Sequence, residues 1–154
     1  AMNPKLAGQN ASYLVKQLQD FKAGNRPGQT MAAMVLALSD QDMEDIAAFY
    51  ASQDATLGGA DPATAELAES LYRAGNADLS IVACSACHSP TGQGNAPAGF
   101  PALSGQHAEY TLMQLEDFRS GTRANDASSM MRTVVERLTD NELEALASYV
   151  SGLN

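Results

Sequence analysis

The chain is poor in the residues that most often carry chemistry. It has no tryptophan, two cysteines and two histidines, and only nine Lys and Arg against 18 Asp and Glu. Two cysteines separated by two residues exclude a disulfide-stapled scaffold. A formal charge of −9 argues against nucleic acid and against an anionic membrane surface as partners. No apolar run is long enough to span a bilayer. Sustained strand alternation is missing as well, so the fold class expected is all-α. At 154 residues with 45% hydrophobic content, one domain or two small ones fit equally well.

What the chain does have is an internal repeat. "PKLAGQNASYLVKQLQDFKAGNR", Pro4 to Arg26, aligns with "PALSGQHAEYTLMQLEDFRSGTR", Pro101 to Arg123. "MAAMVLALSDQDMEDIAAFYAS", Met31 to Ser52, aligns with "MRTVVERLTDNELEALASYVSG", Met131 to Gly152. The second copy carries a longer loop around Asn125–Ser128. Each copy reads as two helices. Apolar residues recur at helical spacing in the first helix of each, Tyr13, Leu14, Leu18 and Phe21 against Tyr110, Leu115 and Phe118. Gly24 and Gly121 are the natural stops. The second helices open on Ser39-x-x-Asp42 and Thr139-x-x-Glu142, which resemble capping boxes. Their expected buried faces are Met43, Ile46, Ala47 and Phe49–Tyr50, and Leu143, Leu146, Ala147 and Tyr149–Val150. Between the copies, "DATLGGADP" reads as a linker. A helix over Ala63–Asn76 follows, and then the segment holding both cysteines, which has no counterpart in copy one.

That segment is "VACSACHSP", with Cys84, Cys87 and His88 in a C-x-x-C-H pattern, the attachment signature for c-type haem. Positions i, i+3 and i+4 share one face of a helical turn. Two thiols there can each add to a haem vinyl group while the adjacent imidazole reaches the iron. Two rival chemistries use the same residues. A zinc site would recruit Cys84, Cys87, His88 and His107, but adjacent Cys87 and His88 are awkward ligands for one tetrahedral ion, and no second C-x-x-C or H-x₃-H pair exists. A thioredoxin-like redox pair belongs beside a βαβ unit, for which there is no strand evidence.

Haem iron has a second axial position, and Met131, Met130, Met113 and His107 are candidates for it. Methionine is more often a core filler than a ligand, but the repeat singles out Met131. It aligns with Met31, and both precede the capping boxes in what reads as a loop able to fold over a haem face. Met130 is its neighbour, one residue out of register; Met34 stands in the same relation to Met31. His107, whose repeat partner is Asn10, reads as a surface residue or hydrogen-bond donor. The Gly99–Leu103 connector reads equally well as a source of a backbone carbonyl for the second nitrogen of His88 or as a stretch where Pro101 simply breaks the chain direction.

"CSACHSPTGQGNAPAGFPALSGQHAEYTLMQLEDFRSGTR", followed by "MMRTVVERLTDNELEALASYVSGL", closely resembles the C-terminal domain of the cytochrome c4 family. Residues 1–52 resemble the latter part of that family's N-terminal domain. The resemblance implies two class I cytochrome c domains: a partial one at 1–53 without C-x-x-C-H, a linker at 54–62, and a complete one at 63–154. It implies Cys84 and Cys87 as thioether attachments for haem c, His88 and Met131 as axial ligands, and the Pro101 carbonyl as the acceptor for His88. It also matches Met31 to the distal methionine of a first haem. One haem c per chain is expected, with a second only where the missing segment is supplied separately; another chain or segment is a candidate partner for residues 1–53. The function implied is that of a one-electron carrier and not an enzyme. It would be periplasmic or loosely membrane-associated, passing electrons from a quinol-oxidising complex to a terminal oxidase. The alternative is a cytochrome subunit of an oxidoreductase such as a flavocytochrome sulfide dehydrogenase; a gas-sensing haem is a third reading. Glu109, Glu116, Asp117 and Asp126 are expected either to steer a basic redox partner or to form a solvated face.

Overall fold

The computed structural model describes residues 2–154, and its secondary structure is helical with two isolated β-bridges. Copy one contributes α1 (Ala11–Ala23), α2 (Gln29–Val35) and α3 (Asp40–Ala51). The cysteine segment contributes α4 (Ala65–Ala74) and the single turn α5 (Ser85–His88). Copy two contributes α6 (Ala108–Ser120), α7 (Met130–Val135) and α8 (Asp140–Gly152).

The expected start and stop signals act as such. Ser39 and Thr139 form complete capping boxes with Asp42 and Glu142, so each helix begins with a hydroxyl on an otherwise unpaired N–H and a carboxylate returning to the cap. Gly24 and Gly121 end α1 and α6 at φ 79° and 77°, left-handed values that residues with a Cβ adopt with strain.

The repeat packs asymmetrically. In copy two, α4 and α6 lie on α8, and Leu71, Tyr72, Ile81, Phe118, Val135, Leu138, Leu143, Leu146, Val150 and Leu153 form one buried cluster. In copy one the buried cluster is only Phe21, Val35 and Met43, flanked by Leu18, Met31 and Leu38. This overturns one expectation: Phe49, assigned to the buried face of α3, is 60% exposed. Its repeat partner Tyr149 is half-buried and packs its ring 5.5 Å from Tyr72 of α4; copy one has no helix equivalent to α4. The methionines also sit differently from the reading. Met31 and Met131 lie in the short helices α2 and α7, not in loops.

The copies meet across a polar seam with approximate two-fold symmetry. Gln9 of copy one exchanges two hydrogen bonds with the Ala102 backbone, at 2.9 and 2.7 Å. Its repeat partner Gln106 does the same with the Lys5 backbone, at 3.0 and 2.8 Å. Further in, Arg26 donates to Tyr110 and Arg123 donates to Tyr13, at 2.8 and 3.0 Å. Gln17 and Gln114 each accept from both guanidiniums. Both arginines and Gln17 are buried. Arg26 stacks on Phe21 and Arg123 on Phe118, with the guanidinium carbons 4.7 and 4.4 Å from the ring centroids. No carboxylate lies within ion-pairing distance of either guanidinium among the described residues.

Two buried cations held by neutral oxygens set the local field. Burial raises the pKa of Tyr13, but the charges of Arg123 and Arg26 outweigh it and hold the phenol below its usual range. At the seam's edge Asp20 is likewise pushed up by burial. Hydrogen bonds from Lys16 and Asn125 bring it below the ordinary carboxylate value. The linker-like residues 54–62 run along α8: Gly58 N–H donates to the Ser151 carbonyl at 2.7 Å, and Ser151 Oγ donates to the Gly59 carbonyl at 2.7 Å.

Candidate haem-attachment site

The C-x-x-C-H residues sit on α5, a turn opened by Cys84, whose carbonyl accepts the Cys87 and His88 amides at 3.2 and 2.9 Å. One short turn therefore carries both thiols and the imidazole. The thiols are unpaired and half-buried, with Cys84 against the main apolar cluster. Burial pushes the Cys84 thiol up to about 11, and the neighbouring Cys87 adds to the rise. This opposes the redox-pair reading, because such a pair depends on a thiol with a lowered pKa. The zinc reading also loses ground: no three His, Cys, Asp or Glu side chains converge into a metal-binding group among the described residues. His107 instead takes the position before α6, half-buried.

His88 is buried, and its Nδ1 lies 2.9 Å from the Pro101 carbonyl oxygen. Burial pushes the imidazole pKa down, partly offset by that carbonyl. The neutral ring donates from Nδ1, and Nε2 makes no hydrogen bond among the described residues. This is the tautomer an iron ligand needs.

The approach of Pro101 depends on residues that sequence patterns did not single out. Gly94 has φ +72°, and a Cβ there would fall 2.5 Å from the Phe100 and Pro101 carbonyl oxygens. Only glycine allows the connector this close. Its amide donates to the His88 carbonyl at 2.9 Å. Copy one holds the connector from outside: Asn10 donates to the Phe100 carbonyl at 2.8 Å, and Gln9 binds Ala102, so the two bracket Pro101. Tyr72, fully buried, donates to the Ser89 carbonyl at 2.7 Å just past His88. A glycine among mixed turn residues is a signal for such a close approach; Gln9 and Asn10 carry none, because their partners lie about ninety residues away.

The methionine candidates separate. Met131 is half-buried against the cluster that Cys84 also touches, whereas Met130 is 42% exposed. The acidic residues separate too. Glu116 is exposed, but the Asp126 side chain is only 4% exposed and pairs with Arg132. Asp126 is therefore removed from the expected steering surface.

An all-α fold with C-x-x-C-H on one half-buried turn, its buried histidine bonded to a connector carbonyl, is that of a class I c-type cytochrome. Residues 71–154 match the Cytochrome c family. Cytochrome c4 of Stutzerimonas stutzeri is 52% identical, the match covering 98% of this chain and 77% of that protein. A thiosulfate dehydrogenase electron acceptor of the same species is 38% identical, covering 97% and 70%. The crystal structure of reduced recombinant cytochrome c4 from Pseudomonas stutzeri superposes with a TM-score of 0.93 at 51% identity, covering 98% of this chain and 85% of that one. The chain belongs to the cytochrome c4 family. With that membership go covalently bound haem c and electron transfer in place of enzymatic catalysis. No helix among the described residues is long and apolar enough to cross a membrane.

Proposed function

We propose that this protein is a periplasmic one-electron carrier. One haem c is fastened through Cys84 and Cys87, with His88 and Met131 as its axial ligands. The observation that carries the reading is the 2.9 Å contact between His88 Nδ1 and the Pro101 carbonyl, which leaves Nε2 as the coordinating atom. When bound, the haem supplies a metal centre that takes up and releases one electron. His88 and Met131 would hold the iron between them and leave no vacant site for substrate or O₂, and a thioether ligand would favour the reduced state. The division into a partial unit at 1–53, a connecting segment at 54–62 and a complete unit at 63–154 goes with this reading, supported by the two separate apolar clusters.

Optical spectra of both redox states test the ligand set. The wild-type ferric protein is expected to show the weak far-red band of sulfur ligation. Met131→Ala is expected to abolish that band and to lower the reduction potential, while Met130→Ala leaves both in place. A band that survives in Met131→Ala refutes the assignment.

Two donor–acceptor settings fit a small transient contact at an exposed haem edge. The first is transfer from a quinol-oxidising complex to a terminal oxidase. The second, acceptance of electrons from a sulfur-compound dehydrogenase, is favoured by the 38% identity to a thiosulfate dehydrogenase electron acceptor. Stopped-flow reduction by each purified donor discriminates them: the physiological donor is expected to reduce the carrier at least about tenfold faster, with the association rate falling as salt is added.

A further inference from the structure

Copy two reaches its methionine by a different route from copy one. Four residues separate Arg26 from Met31, and seven separate Arg123 from Met131. In copy one the entry into α2 is made by Gly28, at φ 155°. The longer loop in copy two has no glycine, and two consecutive serines, Ser128 and Ser129, take left-handed conformations at φ 51° and 58°. Such values are unfavourable for residues with a Cβ and persist only where surrounding interactions enforce them.

A carboxylate spans this turn. Ser129 precedes α7 but provides no side-chain cap. Asp126 reaches past the turn in its place. One carboxylate oxygen accepts the Arg132 backbone N–H at 3.1 Å, and the other accepts Arg132 Nε at 2.8 Å. Arg132 directly follows Met131, so both bonds fix the backbone on which that thioether is mounted. Copy one has Ala32 at the position of Arg132 and no acidic residue in its loop.

We propose that Asp126 and Arg132 form a clamp that positions Met131, holding the strained Ser128–Ser129 turn closed and so keeping the sixth coordination position of the iron filled. Neither residue is assigned as an iron ligand; both act through the backbone of α7. The inference rests on Met131 as ligand. It predicts that loosening the clamp raises the fraction of time the methionine is detached, without removing the methionine.

The test is carried out on the haem-loaded full chain with carbon monoxide as the probe. In the ferrous wild type at neutral pH, CO binding is expected to be limited by methionine detachment. Asp126→Ala removes two charge-assisted bonds and is expected to raise the CO association rate about tenfold or more, and to weaken the ferric far-red band. Asp126→Asn keeps an acceptor for the backbone N–H and is expected to raise the rate by roughly a third of that factor. It carries the test if the alanine variant does not mature. Arg132→Ala is expected to fall between them. Unchanged CO rates and far-red band in Asp126→Asn and Arg132→Ala, alongside loss of the band in Met131→Ala, overturn the clamp and leave the ligand assignment standing. A band that persists in Met131→Ala overturns both. Thermal unfolding of the same variants separates the two roles. If the CO rates rise only in proportion to lost global stability, the clamp is overturned as a positioning device.

Discussion

A chain carrying Cys84→Ala together with Cys87→Ala is expected to emerge colourless, with a mass lacking the haem increment, and to unfold well below the wild type. The argument begins with size. The buried apolar cluster of the second copy holds ten residues, with Cys84 and Met131 packed at its edge, and a unit this small buries too little surface to be robust alone. Thioether links would hold the haem at a high local concentration for its ligands, whatever the amount of free haem. Without them, its contribution to stability depends on free haem and falls with dilution. His88 would then lie buried beside the Pro101 carbonyl with its outer nitrogen unused. The measurements are mass spectrometry of the purified chain and a thermal melt followed by helical circular dichroism. A coloured double variant with covalent haem, produced by a host competent in haem ligation, would sink the attachment site. The single variants discriminate further, because one remaining thioether still tethers the group; they are expected to retain colour at reduced yield.

Arg123→Ala is expected to cost roughly 3–5 kcal/mol and to weaken the seam between the copies, because several buried groups lose a charged partner together. The guanidinium donates to Gln114, Tyr13, Gln17 and Asn125 at 2.6 to 3.0 Å. Its loss leaves Tyr13 Oη without that donor and removes the cation stacked on Phe118. It also withdraws the largest of the charges that hold the Tyr13 phenol below its usual range, so the remaining phenol is expected to titrate higher. The sign follows from burial, which already pushes that group upward. A double-mutant cycle with Tyr13→Phe isolates the pair, with a coupling of about 1–3 kcal/mol expected. The two-fold relation adds a control: Arg26→Ala, its repeat partner, is expected to show a loss of the same order. Denaturant unfolding measures the three variants of the cycle and Arg26→Ala. A change below about 0.5 kcal/mol in Arg123→Ala would mean that the seam is ornamental.

Much of the site was legible because it is local. Cys84, Cys87 and His88 lie within one helical turn, and a turn's geometry follows from spacing alone. The capping boxes at Ser39 and Thr139 and the glycine stops at 24 and 121 were readable for the same reason: each is satisfied within four residues of chain. The repeat made Met131 stand out from Met130. The helical environment of Met131 was not read, because a six-residue helix is too short to show a period.

What escaped was whatever depends on a distant partner. Phe49 has the right spacing for a buried face, but burial needs something to pack against, and no helix in copy one matches α4. Asp126 looked like one more surface acid until the fold turned it onto Arg132. Gln9, Asn10, Gln17 and the arginine pair look unremarkable in sequence, since hydrogen bonds to groups 84 to 106 residues away leave no periodic trace. The sequence by itself determined the helical class, the repeat and the single turn that carries Cys84, Cys87 and His88, because these arise from interactions between near neighbours in the chain. The tertiary structure alone decided that the copies join through two buried arginines, that copy one brackets the carbonyl serving His88, and that the Met131 helix is held by a carboxylate. Each of these brings together groups whose meeting depends on how the helices pack, and not on the order in which they are written.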